Sequence, residues 1–309
     1  MQIYLPIAEI PVNVLTILAM GLTVGFLSGL FGIGGGFLMT PLLIFIGIPP
    51  AIAVGTQSTS VVASSLSGAL THFARRSIDF KMGSVLLCGG AAGTLSGIYL
   101  FKILSEIGQI DLMISVIYVI FLSIIGGLMM VESVQAIRAA RGGGAGGARR
   151  RRGHHSWIHG LPFKMRFRRS KLYISVIPPV LVGYFVGTLS AIMGIGGGFI
   201  MIPAMIYILR MPTSVVIGTS FFQIVFVTAL TAILHSVENQ AVDIVLGFML
   251  VMGSAVGAQF GVRVGERLPG EQLRALLATL LLFIGLRLGI DLISRPDDLY
   301  SIVVMTPGS

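Results

Sequence analysis

The sequence predicts an all-α polytopic membrane protein made of two inverted-topology repeats. Each repeat has about five helical segments, and helices are broken at paired Gly-Ile-Gly-Gly-Gly motifs. Three observations carry this. First, 55% of the 309 residues are hydrophobic and only 11% are charged, with a mean hydropathy of +0.95. A soluble domain carries about 25% charged residues, so a soluble chain of this length could not hide so much apolar surface. Second, Gly29–Leu43, GLFGIGGGFLMTPLL, returns nearly unchanged as AIMGIGGGFIMIPAM at Ala191–Met205. Third, the charge of equivalent loops reverses between the two copies.

Apolar segments fall at about 12–31, 36–48, 50–72, 82–104 and 110–131, and again at about 172–193, 198–209, 213–235, 244–265 and 273–293. Most are long enough to cross about 30 Å of hydrocarbon as helices. The segments 36–48 and 198–209 are too short to do so unaided. The chain therefore divides into a first membrane repeat, 1–131, a basic linker, 132–171, and a second repeat, 172–309.

The duplication extends well past the glycine motif. Gly32-Ile33-Gly34-Gly35-Gly36-Phe37 matches Gly194-Ile195-Gly196-Gly197-Gly198-Phe199, and Met39 and Pro41 match Met201 and Pro203. Pro49 matches Pro212, Gly55-Thr56 matches Gly218-Thr219, His72 matches His235 and Asp79 matches Asp243. Gly83, Gly89, Gly93 and Gly97 match Gly247, Gly253, Gly257 and Gly261.

The linker holds eleven of the 21 Lys and Arg residues, and RGGGAGGARRRRGHH within it reads as a solvated, disordered loop. Such a cluster marks the cytoplasmic side and attracts anionic headgroups, a simpler account of the +9 net charge than nucleic-acid binding. Arg75, Arg76 and Lys81 lie between the third and fourth segments; the equivalent stretch has Glu238 and Asp243 and no base. Between the fourth and fifth segments the bias reverses, from Lys102, Glu106 and Asp111 to Arg263, Arg267 and Arg274 against Glu266 and Glu271. Equivalent loops then lie on opposite faces, with an odd number of crossings per half and both termini outside. Five crossings per half satisfy this; so do three, if the first pair of segments is reentrant.

The glycine motif has three chemical readings. A dinucleotide fingerprint needs a third glycine where Phe37 stands, and a phosphate loop needs a Lys that neither copy has. A broken helix at membrane depth fits: consecutive glycines free backbone N–H and C=O groups, tolerated only inside protein or against a wet cavity. The short helices beginning near Phe37 and Phe199 would present N–H groups and the positive end of a dipole, an anion site needing no basic side chain. Two such sites would converge near the midplane. Gly34, Gly35, Gly36, Gly196, Gly197 and Gly198 are the candidate anion-facing breaks. Gly21, Gly25 and Gly29 recur every fourth position, as do Gly89, Gly93 and Gly97, and Gly253, Gly257 and Gly261; these are packing surfaces, within one chain or across a homodimer.

Donors that could complete the oxyanion shell open the third segment of each half: Thr56, Gln57, Ser58, Thr59 and Ser60, and Thr219, Ser220 and Gln223. N-capping and helix–helix hydrogen bonding are the structural uses of the same residues. All twelve acids lie in or near loops and segment ends, which leaves the membrane core without the carboxylates that mark cation sites and proton relays. His72 and His235 end the third segment of each half, as interfacial residues or as coupling groups that titrate near neutrality. Arg287, in the last segment, snorkels outward or helps draw anions. The lone Cys88 excludes an internal disulfide and a cysteine-rich metal site; no metal or cofactor is expected. His154, His155 and His159 lie in the linker, and no H-E-x-x-H or G-x-S-x-G motif is present, so an enzyme is not expected.

At the doubled glycine motif, each copy followed by a Pro-containing turn and Gly-Thr, the sequence resembles the TauE/SafE family of sulfite exporters, bacterial inner-membrane permeases. The resemblance covers essentially the whole chain outside the linker. It implies export of sulfite or small organosulfonates such as sulfoacetate, made during taurine and sulfoacetate breakdown. The expected activity is secondary transport by alternating access, with lipids and a small anion as partners. A passive anion channel, or a permease for another small organic anion, is the alternative.

Overall fold

The computed structural model describes residues 2–31, 36–74, 78–141, 164–167, 169–170, 172–265 and 270–293. Gly34 and Gly35, the Arg-rich run 149–152 and the C-terminal segment from 294 lie outside these. A two-stranded antiparallel hairpin, β1 (Gln2–Tyr4) and β2 (Pro11–Asn13), leads into α1 (Val14–Phe31). Then follow α2 (Gly36–Phe45), α3 (Pro50–Ala74), α4 (Phe80–Glu106) and α5 (Ile110–Arg141). A second hairpin, β3 (Lys164–Phe167) and β4 (Leu172–Ser175), leads into α6 (Ile177–Met193). The set closes with α7 (Gly198–Pro203, continued as a wider π turn over Ala204–Ile208), α8 (Thr213–Val237), α9 (Ile244–Gly265) and α10 (Gly270–Ile293).

Among the described residues, α4, α5, α8, α9 and α10 each contain a stretch long and apolar enough to cross a membrane. The helices α1, α2, α6 and α7 are apolar but shorter. The chain is long enough in α3, at 25 residues, but its start is polar from Thr56 to Ser60. Large apolar side chains such as Leu15, Phe185, Ile244 and Phe283 are exposed on the outer surface, as lipid contact requires.

Two features add to the sequence reading. The linker's edges are ordered: α5 runs on to Arg141, because ESVQAIRAAR offers good helix formers and no glycine until Gly142. The hairpin β3–β4 lies across the 171/172 boundary and mirrors β1–β2, so each set of five helices opens with a hairpin. At three or four residues per strand, neither hairpin has the alternation that would announce a sheet.

The four-spaced glycines serve contacts within the chain. A Cβ on Gly21 would lie 3.2 Å from Gly253 Cα, and Cβ atoms on Gly25 and Gly29 would run into the backbone carbonyls of Ser254 and Ala258. Rising numbers meet rising numbers, so α1 and α9 pack in parallel with their backbones touching. The pair α4–α6 repeats this: Gly89, Gly93 and Gly97 face Val180, Tyr184 and Thr188. The other two main pairs run antiparallel. In α5–α10, Gly126 meets Leu282 while Gly285 meets Leu122. In α3–α8, each helix begins where the other ends, as two hydrogen bonds show. Thr56 Oγ1 accepts from the Asp243 N–H at 2.9 Å, and Thr219 Oγ1 accepts from the Asp79 N–H at 3.1 Å.

Each of these aspartates is a helix cap. Asp79 Oδ1 accepts from Met82 N at the start of α4, and Asp243 Oδ1 accepts from Leu246 N at the start of α9. Their second oxygens hold the hairpins: Ile7 N donates to Asp243 Oδ2 at 3.1 Å, and Ser170 donates to Asp79 Oδ2 through its N–H at 3.0 Å and its hydroxyl at 2.7 Å.

Candidate functional site

The second glycine motif shows why glycine is needed. Gly194, Gly196 and Gly197 have φ of +69°, +77° and +74°, a left-handed backbone that costs other residues about 1–2 kcal/mol each. Gly194 ends α6, and Gly197 is the N-cap of α7. The helix break leaves the last carbonyls of α6 without intrahelical partners. Side chains from three other helices take them. The Tyr118 hydroxyl donates to Met193 O at 2.6 Å, with the Thr40 hydroxyl reaching the same oxygen at 3.5 Å. His235 Nε2 lies 2.8 Å from Ala191 O, while its Nδ1 lies 3.0 Å from the Asn239 amide nitrogen. The amide N–H₂ can only donate, so Nδ1 accepts and Nε2 carries the proton that binds Ala191 O.

The break is buried throughout. Gly196 sits between Val61 and Thr228, Gly197 faces Val186, and Gly198 is buried at the start of α7. The two motifs meet in space: Phe37 and Phe199, which follow them, stack with centroids 4.5 Å apart, and a Cβ on Gly36 would lie 2.6 Å from Ile195 O.

Beside this meeting point is a cavity of about 430 Å³ bounded by α1, α2, α3 and α9, with Phe221 of α8. Its polar lining comes from Ser28, Gln57, Ser60, Ser64, Ser254 and Gln259, and Gly36, the first residue of α2, is also in the wall. Among the described lining residues none is charged. Ser64 and Ser254 spend their hydroxyls on backbone carbonyls one turn back, Val61 O at 3.1 Å and Val251 O at 3.2 Å. Gln57 Oε1 and Ser60 Oγ have no partner, although the side chains are only 3% and 4% exposed. Buried polar atoms are ordinarily paired with protein or with ordered water, so a partner for these two would have to enter the cavity.

The residues singled out in the sequence separate into distinct roles. Gly36 and Gln57 line the cavity. Thr56 and Thr219 hold the backbone N–H groups of Asp243 and Asp79, which ties each third helix to the fourth helix of the other set. Ser58 bonds back to Val54 O at 3.0 Å, and Ser220 donates to Met205 Sδ at 3.2 Å. Gln223 is fully buried with both amide atoms unpartnered. His72 stacks on Phe221 at 5.7 Å, whereas His235 is a buried cap for α6. The guanidinium of Arg287 lies 5.3 Å over the Phe45 ring. Ser60, also named among the donors that open the third segment, lines the cavity one turn from Gln57 on the same helix face. Ser28 and Gln259 were not among the sequence candidates.

The family model described as sulfite exporter TauE/SafE matches residues 17–288. The probable membrane transporter protein YunE of Bacillus subtilis (strain 168) is 24% identical over 281 residues, which cover 88% of this chain and 96% of that protein. The probable membrane transporter protein YjnA of the same organism is 28% identical over 276 residues, with 88% and 98% covered. Sulfite exporter TauE/SafE family protein 1 of Arabidopsis thaliana is 47% identical over 60 residues, 19% of this chain and 13% of that protein. No solved structure matches the chain.

Proposed function

Because the chain belongs to the TauE/SafE sulfite exporter family, a family of membrane transporters, we propose that it exports a small sulfur oxyanion across the plasma membrane by alternating access. Sulfite and C2 organosulfonates such as sulfoacetate are the substrates in view. The observation that carries this reading is the uncharged cavity at the start of α2, with the Gln57 side chain and the buried, unpartnered Ser60 hydroxyl in its wall. An anion there meets neutral donors and the positive end of the α2 dipole. Charge stabilised this way is held without a fixed counter-ion, which suits a site that must also release.

The packing supports an inverted repeat as the framework. Equivalent helices α3 and α8 run antiparallel, as do α5 and α10, which an in-plane two-fold axis requires and an axis along the membrane normal forbids. Each repeat unit then starts with its hairpin. The N-terminal hairpin shares a face with the α8–α9 loop, through Ile7 and Asp243. The second hairpin shares the opposite face with the α3–α4 loop: Arg169 Nη1 donates to Ile78 O at 2.7 Å, and Ser170 binds Asp79. The second face carries Lys81, Arg166 and Arg169, so it is assigned to the cytoplasm and the N-terminus to the outside.

Proteoliposome flux tests the reading. Sulfite or sulfoacetate should exchange across the membrane, and Gln57→Leu should slow exchange about ten- to hundredfold, the equivalent of one hydrogen bond to a charged group. Absence of flux for every sulfur oxyanion, or wild-type flux in Gln57→Leu, sinks it. Large unitary currents in electrical recordings would indicate a channel instead.

A further inference from the structure

Among the described residues outside the cavity, four buried side chains have polar atoms without partners: Ser133 on α5 and, with no exposed surface, Gln223 on α8, through both amide atoms, Ser190 on α6 and Thr94 on α4. The last three form a group. They lie around one point. A Cβ on Gly90 of α4 would sit 2.8 Å from Gln223 Nε2. Thr94 follows Gly90 by one turn on the same face of α4. A Cβ on Gly187 of α6 would run into Gly90 O, and Ser190 follows Gly187 by one turn. An unpaired buried amide is costly, and here two hydroxyls nearby are unpaired as well.

The repeat gives these positions a meaning. In the register that pairs Gly36 with Gly198, Ser190 corresponds to Ser28. In the register that pairs Thr56 with Thr219, Gln223 corresponds to Ser60 and Ser220 to Gln57, so the amide and the hydroxyl have exchanged places. In the register that pairs Gly93 with Gly257, Thr94 corresponds to Ala258. Ser28, Gln57, Ser60 and Ala258 all line the cavity.

We infer that Gln223, Ser190 and Thr94 form a second seat for the same small oxyanion, the closed twin of the open cavity, reached from the opposite membrane face. The inference rests on the transporter reading above. Transport then passes the anion from one amide-and-hydroxyl pair to the other. When the cavity at Gln57 closes, the helices around Gln223 part and its two amide atoms gain a partner.

Cysteine accessibility tests this whatever the substrate is. The full chain carries one cysteine, Cys88, which Cys88→Ser removes. In that background Gln57→Cys and Gln223→Cys are treated, in oriented membrane vesicles, with a membrane-impermeant maleimide from either side. The expected result is labelling at position 57 from one face and at position 223 from the other. Adding a bulky reagent at 57 should suppress labelling at 223 in the double variant. Labelling of both from the same face, or none at 223 from either face, overturns the second seat. Ser190→Cys, a smaller change, repeats the measurement should Gln223→Cys not fold. If labelling falls on opposite faces while no sulfur oxyanion is moved, the substrate reading fails and the two-seat inference stands.

Discussion

The two short helices begin with the same glycine text and end in different surroundings. Gly36 opens α2 onto a cavity, while Gly198 opens α7 inside packed side chains. The difference lies in the neighbours. The carbonyls ahead of α7 are held by Tyr118, Thr40 and His235. In the other copy, Ile202 stands where Thr40 would be, α10 contains no tyrosine, and His72 stacks on Phe221. The flanking helices therefore decide whether the short helix after a repeated motif starts inside packed side chains or in the wall of a cavity.

The sealed joint offers the most severe way to break this comparison. Gly196→Val adds a β-branched side chain at φ +77°, into Val61 and against Thr228. A loss above about 4 kcal/mol is expected, enough to remove the monodisperse peak on size exclusion in detergent. A well-folded Gly196→Val protein would show that the joint is looser than its contacts indicate.

Tyr118→Phe should cost about 1–3 kcal/mol, because Met193 O keeps only the long contact to Thr40. Thermal unfolding would register the loss, and anion flux would persist if the joint only holds shape. A flux loss without destabilisation would move Tyr118 from support to transport.

The aspartate ties are the feature the halves share, so their removal should be nearly symmetric. Asp243→Ala and Asp79→Ala each lose a helix cap and a hairpin contact, about 1–2 kcal/mol by thermal unfolding. Asp79→Ala should be the worse of the two, since Ser170 gives that carboxylate two hydrogen bonds against one from Ile7. The reverse order would mean that the N-terminal hairpin matters more than the second.

The smallest effect is expected at Lys102–Glu238, a 3.2 Å ion pair whose side chains are 47% and 45% exposed. Lys102→Gln should change stability by less than about 1 kcal/mol, and less still at high salt.

Helix positions were legible in the sequence because apolar length and Gly/Pro punctuation act locally. The packing role of Gly21, Gly25 and Gly29 was legible too, but not their partner, since Gly253 lies in the other half. The same distance hid the role of Thr56, which reads as a free donor until Asp243 is brought to it. Tyr118 shows a different limit: one tyrosine in an apolar helix looks the same whether it faces lipid or caps a broken helix. Gln57 and Ser60, two of the donors that open the third segment, both line the cavity. Ser58 and Ser64 beside them are satisfied by their own backbone, a difference that residue type alone does not reveal.

The exchanged pairing of α1 with α9 and of α4 with α6 also governs how the protein is made. The glycine face of α1 is made long before α9, so Gly21, Gly25 and Gly29 find their partners only when Gly253 to Ala258 leave the ribosome. At about 5–20 residues per second that wait lasts on the order of tens of seconds. Through that interval α1 is a bare small-residue surface in a bilayer full of other helices, open to wrong partners. Cut at the linker into two polypeptides, the protein should still assemble when both pieces are made together, and neither piece should persist when made alone.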